Sequence, residues 1–194
     1  MTIEMSGDVR GWFFERLDAA LERHGVPASE TTRFYLVELL ASFADGDAAD
    51  FDRPLAFQLA EAMETDGPEK IRKLRDLGDS ALYLLGFFED HLERRGLSRS
   101  YFVAMGGRAY GTARQLAAFS PREAPRQEAY GELAERFEGY VEALDDVRES
   151  TVLRTPQDIV RLYEKWKRTK SPRLAERLRS EGVFPALMDE RTLH

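Results

Sequence analysis

Arg75, Asp79 and Tyr83 follow one another at four-residue spacing at the edge of an apolar stretch. On a helix that spacing places a guanidinium, a carboxyl group and a phenol on one face. A carboxyl group in apolar surroundings must be paired or hydrogen-bonded, or it takes up a proton. Two roles are open to it. It can link core helices structurally, or it can belong to a polar cluster that orients a bound small molecule. Arg108 and Tyr110, in the following segment, could complete such a cluster, with Gly107 leaving space beside them. The candidate ligand pocket is therefore Asp79, Tyr83, Gly107, Arg108 and Tyr110, between helices expected at 68–95 and 98–119.

A second group of candidates lies near the C-terminus. Residues 154–180 carry nine Lys/Arg against three Asp/Glu, a local balance of +6 in a chain of net charge −7. The remainder is accordingly at −13. Within this basic segment Tyr163, Lys165, Trp166, Lys167 and Arg168 combine aromatic and cationic side chains, the mixture that anchors interfaces. They are the candidate partner surface. The arm is expected to dock on the acidic bundle or on a partner subunit, or to bind an acidic partner. The apolar tail Val183 to Met188 could dock in a groove of that subunit. Leu174 to Leu178, reading LAERL and followed by Gly182-Val183, resembles the opening of helix-turn-helix units. No recognition helix follows, so specific DNA binding is not expected.

Other chemistries find little support. With no cysteine, disulfides, thiolate metal sites and cysteine nucleophiles are excluded. Three histidines exist, His24, His91 and His194, without HExxH or the Glu-x-x-His pairs of bundle di-iron sites. A carboxylate-only metal site stays open, but neither a metal nor a cofactor is expected. The loop from Asp45 to Asp52 is acidic but places Ala49, Asp50 and Ala56 where an EF-hand needs a ligand, glycine and glutamate. It reads as a solvated loop. Phosphate-binding and nucleophile-elbow motifs are absent. No set of nucleophile, base and orienting group can be assembled, so catalysis has no support in the residues.

The elements that must position these residues are helical. Trp12, Phe13, Leu17, Ala20 and Leu21 form a stripe that His24-Gly25 and Pro27 terminate. Ser29 is the N-cap expected for a second helix carrying Phe34, Val37, Leu40 and Ala41, with Tyr35 and Leu39 beside them. Pro54 opens a short third helix. Pro68 opens a long fourth helix, which Gly96 ends. Its seam of Ile71, Leu74, Gly78, Ala81, Leu85, Phe88 and Leu92 recurs every three or four residues, and Leu77 to Phe88 is apolar on every side. A helix of that kind is enclosed by its neighbours. Ser98 or Ser100 starts the fifth. There Gly106, Gly107 and Gly111 each cost roughly 0.5–1 kcal/mol relative to alanine, offset by close helix packing or by room for a ligand. A sixth helix spans Tyr130 to Leu144. Thr155-Pro156 and Ser171-Pro172 start two more.

LGDSALYLLGFF (Leu77 to Phe88) and YFVAMGGRAYG (Tyr101 to Gly111) resemble segments of uncharacterised bacterial all-α proteins. That resemblance implies a helical fold and carries no activity. Leu77-Gly78-Asp79 also resembles the start of the LGD-x-SGG segment of haem oxygenases. Here no glycine pair follows Asp79 in its own helix, and His24 is no equivalent of that family's axial ligand, so haem is not expected.

The sequence thus predicts an all-α bundle of about eight helices around a central buried helix. It divides into an acidic bundle (1–152) and a basic two-helix arm (153–194). Its longest apolar run, Ala81 to Phe88, is eight residues, against about 18 for a membrane span. With no signal-peptide pattern at the start, a cytoplasmic location is expected. The reading is a non-enzymatic interaction or regulatory protein, pairing with itself as a homodimer and with an acidic protein. The alternative is a small-molecule binder or enzyme using the pocket above.

Overall fold

The computed structural model describes residues 5–44, 53–149, 156–180 and 183, and among them every regular element is helical. The acidic loop 45–52, the Thr155 cap, the tail 184–188 and His194 lie outside the described residues. In chain order the helices are α1 (Met5–His24), α2 (Glu30–Ala44), α3 (Leu55–Glu64), α4 (Gly67–Arg94) and α5 (Arg99–Ala117). A 3-10 turn (Ala124–Arg126) leads into α6 (Gln127–Glu135), α7 (Phe137–Glu149), α8 (Pro156–Thr169) and α9 (Pro172–Ser180).

Helix boundaries follow local chemistry. Gly25 and Gly96 end α1 and α4 with φ of 64° and 75°, a conformation that costs glycine nothing. Ser29 Oγ accepts the Thr32 amide at the start of α2, and Ser98 Oγ accepts the Tyr101 amide at the start of α5. The expected sixth helix is two: Arg136, at φ −126° and ψ 33°, separates α6 from α7. α4 also leaves helical geometry once, at Phe88. There Phe87 stacks on the Tyr83 ring at 4.9 Å while Phe88 meets it edge-on at 5.7 Å.

α4 is the central element, as its all-round apolarity implies. It packs against α3, α5 and α7 and buries Leu74, Leu77, Ala81 and Leu82 completely. The glycines mark where helices cross closely. A Cβ at Gly106 would stand 2.3 Å from Phe137 Cζ, and one at Gly86 would stand 2.6 Å from Leu144 Cβ. A Cβ at Gly78 would meet the Tyr110 ring at 2.8 Å. The α4–α5 crossing is therefore filled by packing, and no ligand space lies between these two helices at Gly78. Gly107 differs, because its nearest neighbour would be the Ala134 carbonyl at 3.7 Å.

α2 packs on α1, α6 and α8 rather than closely along α4. Side chains bridge the gap between α2 and α4: Tyr35 reaches Asp79, and Phe43 stacks on Tyr83 at 4.1 Å. Phe34, expected in the core, is 64% exposed. Leu36, Val37, Leu40 and Phe43 fill the buried side of α2 instead, leaving Phe34 on the wall of the gap.

The basic arm folds onto its own chain. α8 packs on α2 and α9 on α8, and their apolar residues join the same core as the bundle. The expectation that Tyr163 and Trp166 present an aromatic partner surface is corrected. Trp166 is 1% exposed and Tyr163 8%, because the apolar face of this strongly amphipathic helix is used up against the bundle. Lys165, Lys167 and Arg168 point the other way and are exposed.

Candidate functional site

Asp79 is the centre of the most unusual polar arrangement in the fold. Its Oδ1 accepts two phenol hydrogen bonds, from Tyr35 at 2.5 Å and from Tyr110 at 2.6 Å. The donors come from α2 and α5, and their rings meet edge-on at 6.4 Å. Burial pushes the Asp79 carboxyl up to about 6, although both phenols and the Arg75 charge favour its ionised form. Burial, and then the Asp79 charge, hold both phenols well above the usual tyrosine range, so they act as donors.

Tyr130, from α6, completes a ring of three tyrosines. Its ring stacks on Tyr110 at 6.2 Å and meets Tyr35 edge-on at 5.8 Å. Its hydroxyl donates to Glu123 at 2.8 Å, and Glu123 is itself 6% exposed. Burial and this carboxylate raise the Tyr130 phenol further. Tyr35 is positioned by the start of its own helix. The Ser29 amide donates to Glu132 of α6 at 2.9 Å, tying α2 to the helix that carries Tyr130. Burial pushes the Glu132 carboxyl up, but hydrogen bonds from Thr32 and Ser29 outweigh it and hold the group below its usual range.

Asp79 lies on the floor of a cleft of about 1280 Å³ between α2, α3, α4 and the turn at 122–126. Phe14, Phe34, Leu39, Phe43 and Pro125 give the cleft apolar surface. Its rim carries ion pairs: Arg75 with Asp76 at 2.9 Å, Lys73 with Glu61 at 2.7 Å, and Arg53 with the same Glu61 at 2.8 Å. The second Asp79 oxygen, Oδ2, takes no protein hydrogen bond among the described residues. One carboxyl oxygen is thus pinned by two phenols, and the other is left over in a residue that lines an open cleft.

Of the residues expected to form a pocket, the structure brings together Asp79 and Tyr110. Arg75 stands nearby, its charge felt at Asp79 while its hydrogen bonds go to Asp76. Tyr83 is buried in the aromatic stack with Phe43 and Phe87. Arg108 is exposed and outside the cluster. It precedes Tyr110 by two residues, which on a helix is a rotation of about 200°, so a face that turns Tyr110 inward turns Arg108 out. Gly107 borders a small surface depression with Ala134 and Phe137, away from Asp79. The pocket therefore sits on the α2 side of α4, not between α4 and α5. Tyr35, Tyr130, Glu123, Arg122 and Arg126 were not singled out by spacing. The usable signal was chemical: a tyrosine on an apolar helical face needs a partner for its hydroxyl.

Among the described residues no group of three or more His, Asp or Glu side chains is placed to hold a metal ion. No described helix is long and apolar enough to cross a membrane. No family model, curated protein or solved structure matches the chain.

Proposed function

We propose that this protein binds a small, partly apolar organic molecule in the cleft, with a polar group of that molecule donating a hydrogen bond to Asp79. The observation that carries this reading is the half-satisfied carboxyl group. Holding a charge in a desolvated position is costly, and proteins concentrate such groups where a ligand or a reaction needs them. Two tyrosines from two helices, packed against a third tyrosine, fix the carboxyl group in one orientation, as a receptor for a directional donor requires. Aromatic and aliphatic side chains beside it supply the apolar contact that gives most small-ligand sites their affinity. Binding, rather than a reaction, is the step these residues support.

Native mass spectrometry of protein purified from its own host, compared with Asp79→Asn, tests this. The expected result is a co-purifying compound that the variant fails to retain. A wild type that carries nothing, and whose α2 and α4 amide resonances do not move with any member of a small-fragment library, would refute it.

A second reading rests on the exposed row Lys165, Lys167 and Arg168 on α8, opposite its buried aromatics. Such a row suits contact with an acidic protein or with the acidic bundle of a second copy. Sedimentation of the wild type and a triple glutamine variant across salt concentrations tests it. Unchanged mass throughout would remove the self-association reading.

A further inference from the structure

The charges along the cleft narrow what it takes, on the understanding that the cleft is a binding site. Among the described residues its lining carries six cationic side chains against five carboxylates, in a chain whose net charge is −7. Cations thus outnumber carboxylates by one among these lining residues, in a chain that is negative overall. Most of these charges are already matched. Glu61 holds Arg53 and Lys73, Asp76 holds Arg72 and Arg75, and Glu38 holds Arg10. Glu30 is exposed in the first turn of α2, where the helix's own amides favour a carboxylate.

Besides Arg53, which among the described residues spends only Nη2, on Glu61, three guanidiniums keep donors in hand. Arg75 spends Nε and Nη2 on one oxygen of Asp76, and its Nη1 is uncommitted among the described residues. Arg126 touches Glu123 through Nη1 alone, at 3.4 Å. Arg122 makes no ion pair or hydrogen bond among the described residues. All three line the cleft. They are also linked through the tyrosine ring. Arg122 and Arg126 flank Glu123, which holds the Tyr130 hydroxyl, while Tyr130 stacks on Tyr110, which binds Asp79 one helical turn from Arg75.

Guanidinium forks match the planar or tetrahedral oxygens of oxyacid groups. From this geometry we infer that the cleft's ligand is an organic anion, its carboxylate- or phosphate-type group held by Arg75, Arg122 and Arg126. The apolar part lies along Phe34 and Leu39, and a hydroxyl or N–H donor meets Asp79. Asp79 then selects against a second anionic group, because two carboxylates at the cleft floor would repel.

A matched pair of fluorescent dyes tests this: 1-anilinonaphthalene-8-sulfonate, and N-phenyl-1-naphthylamine, which keeps the N–H and rings but lacks the anion. The sulfonate is expected to bind about tenfold tighter or more, the size of one charge-assisted contact, and to weaken with added salt. Arg122→Gln with Arg126→Gln, both exposed positions, is expected to remove most of the sulfonate's advantage, Arg75 keeping the rest, and to leave the neutral dye unchanged. Equal affinity of the two dyes, or a sulfonate indifferent to the double variant, overturns the anion assignment. Exposed Phe34→Ala separates the two readings, since it is expected to weaken both dyes. If it changes neither dye, both bind elsewhere, and the cleft itself is refuted along with the anion.

Discussion

Replacing Asp79 with asparagine should stabilise this protein near neutral pH, and the reason lies in the burial that marks the site. The carboxyl group titrates at 3.8 in an open chain and at about 6 in the fold. Well below pH 3.8 it is protonated in both states and contributes no difference. As pH rises, the unfolded chain ionises freely while the folded chain must ionise a desolvated group. Stability therefore falls as pH rises toward the folded value, and above it stays lower by at most about 3 kcal/mol, partial exposure of Asp79 reducing the figure. Asparagine keeps a carbonyl oxygen for the two phenols and does not titrate. Urea unfolding followed by the fluorescence of Trp12 and Trp166, both buried, would give both stabilities from pH 4.5 to 7.5. The variant's advantage is expected to grow across that range by about 2 kcal/mol. Using the difference between the two proteins cancels the titration of every other carboxylate. A difference that stays constant with pH, or a wild type that gains on the variant as pH rises, would refute the assignment of Asp79 as a carboxyl group kept at a cost to stability.

Three further outcomes follow from packing. Gly106→Ala should lose about 1–3 kcal/mol, because its methyl would need the space of the buried Phe137 ring, whereas Gly107→Ala should gain roughly 0.5–1 kcal/mol from better helix propensity. Chemical denaturation of the pair reads the contrast, and equal effects would contradict the packing of α5. Trp166→Ala should cost ~3–5 kcal/mol in dilute protein, since the indole fills the bundle's own core; a loss under 1 kcal/mol would return this side chain to a partner surface. Ser29→Ala should cost about 1 kcal/mol through loss of the α2 cap, measured by thermal unfolding.

What was legible in the chain was what depends on neighbours in sequence. The three- and four-residue recurrence of Ile71 to Leu92 marked α4 as enclosed. Ser29, Ser98, Gly25 and Gly96 marked helix ends, because capping is settled within a turn. Asp79 itself stood out as a carboxyl group in apolar company. Its partners were another matter. Sequence spacing offers a helical residue those one turn away, which points to Arg75 and Tyr83; Arg108 and Tyr110 stand out only as polar residues in the next apolar helix, and Tyr35 does not stand out as a partner at all. The phenols that hold Asp79 come from positions 44 residues earlier and 31 later. They meet it only because α2 and α5 bring their tyrosines to the same oxygen of a residue on α4. Which way α5 is rotated decided that Tyr110 enters the cluster and Arg108 leaves it, and no local pattern fixes that rotation. The same holds for the basic arm, whose amphipathic face was evident although the surface that covers it was not. Periodicity determines that a face must be buried; the tertiary arrangement decides against what, and so where a gap is left for something else to bind.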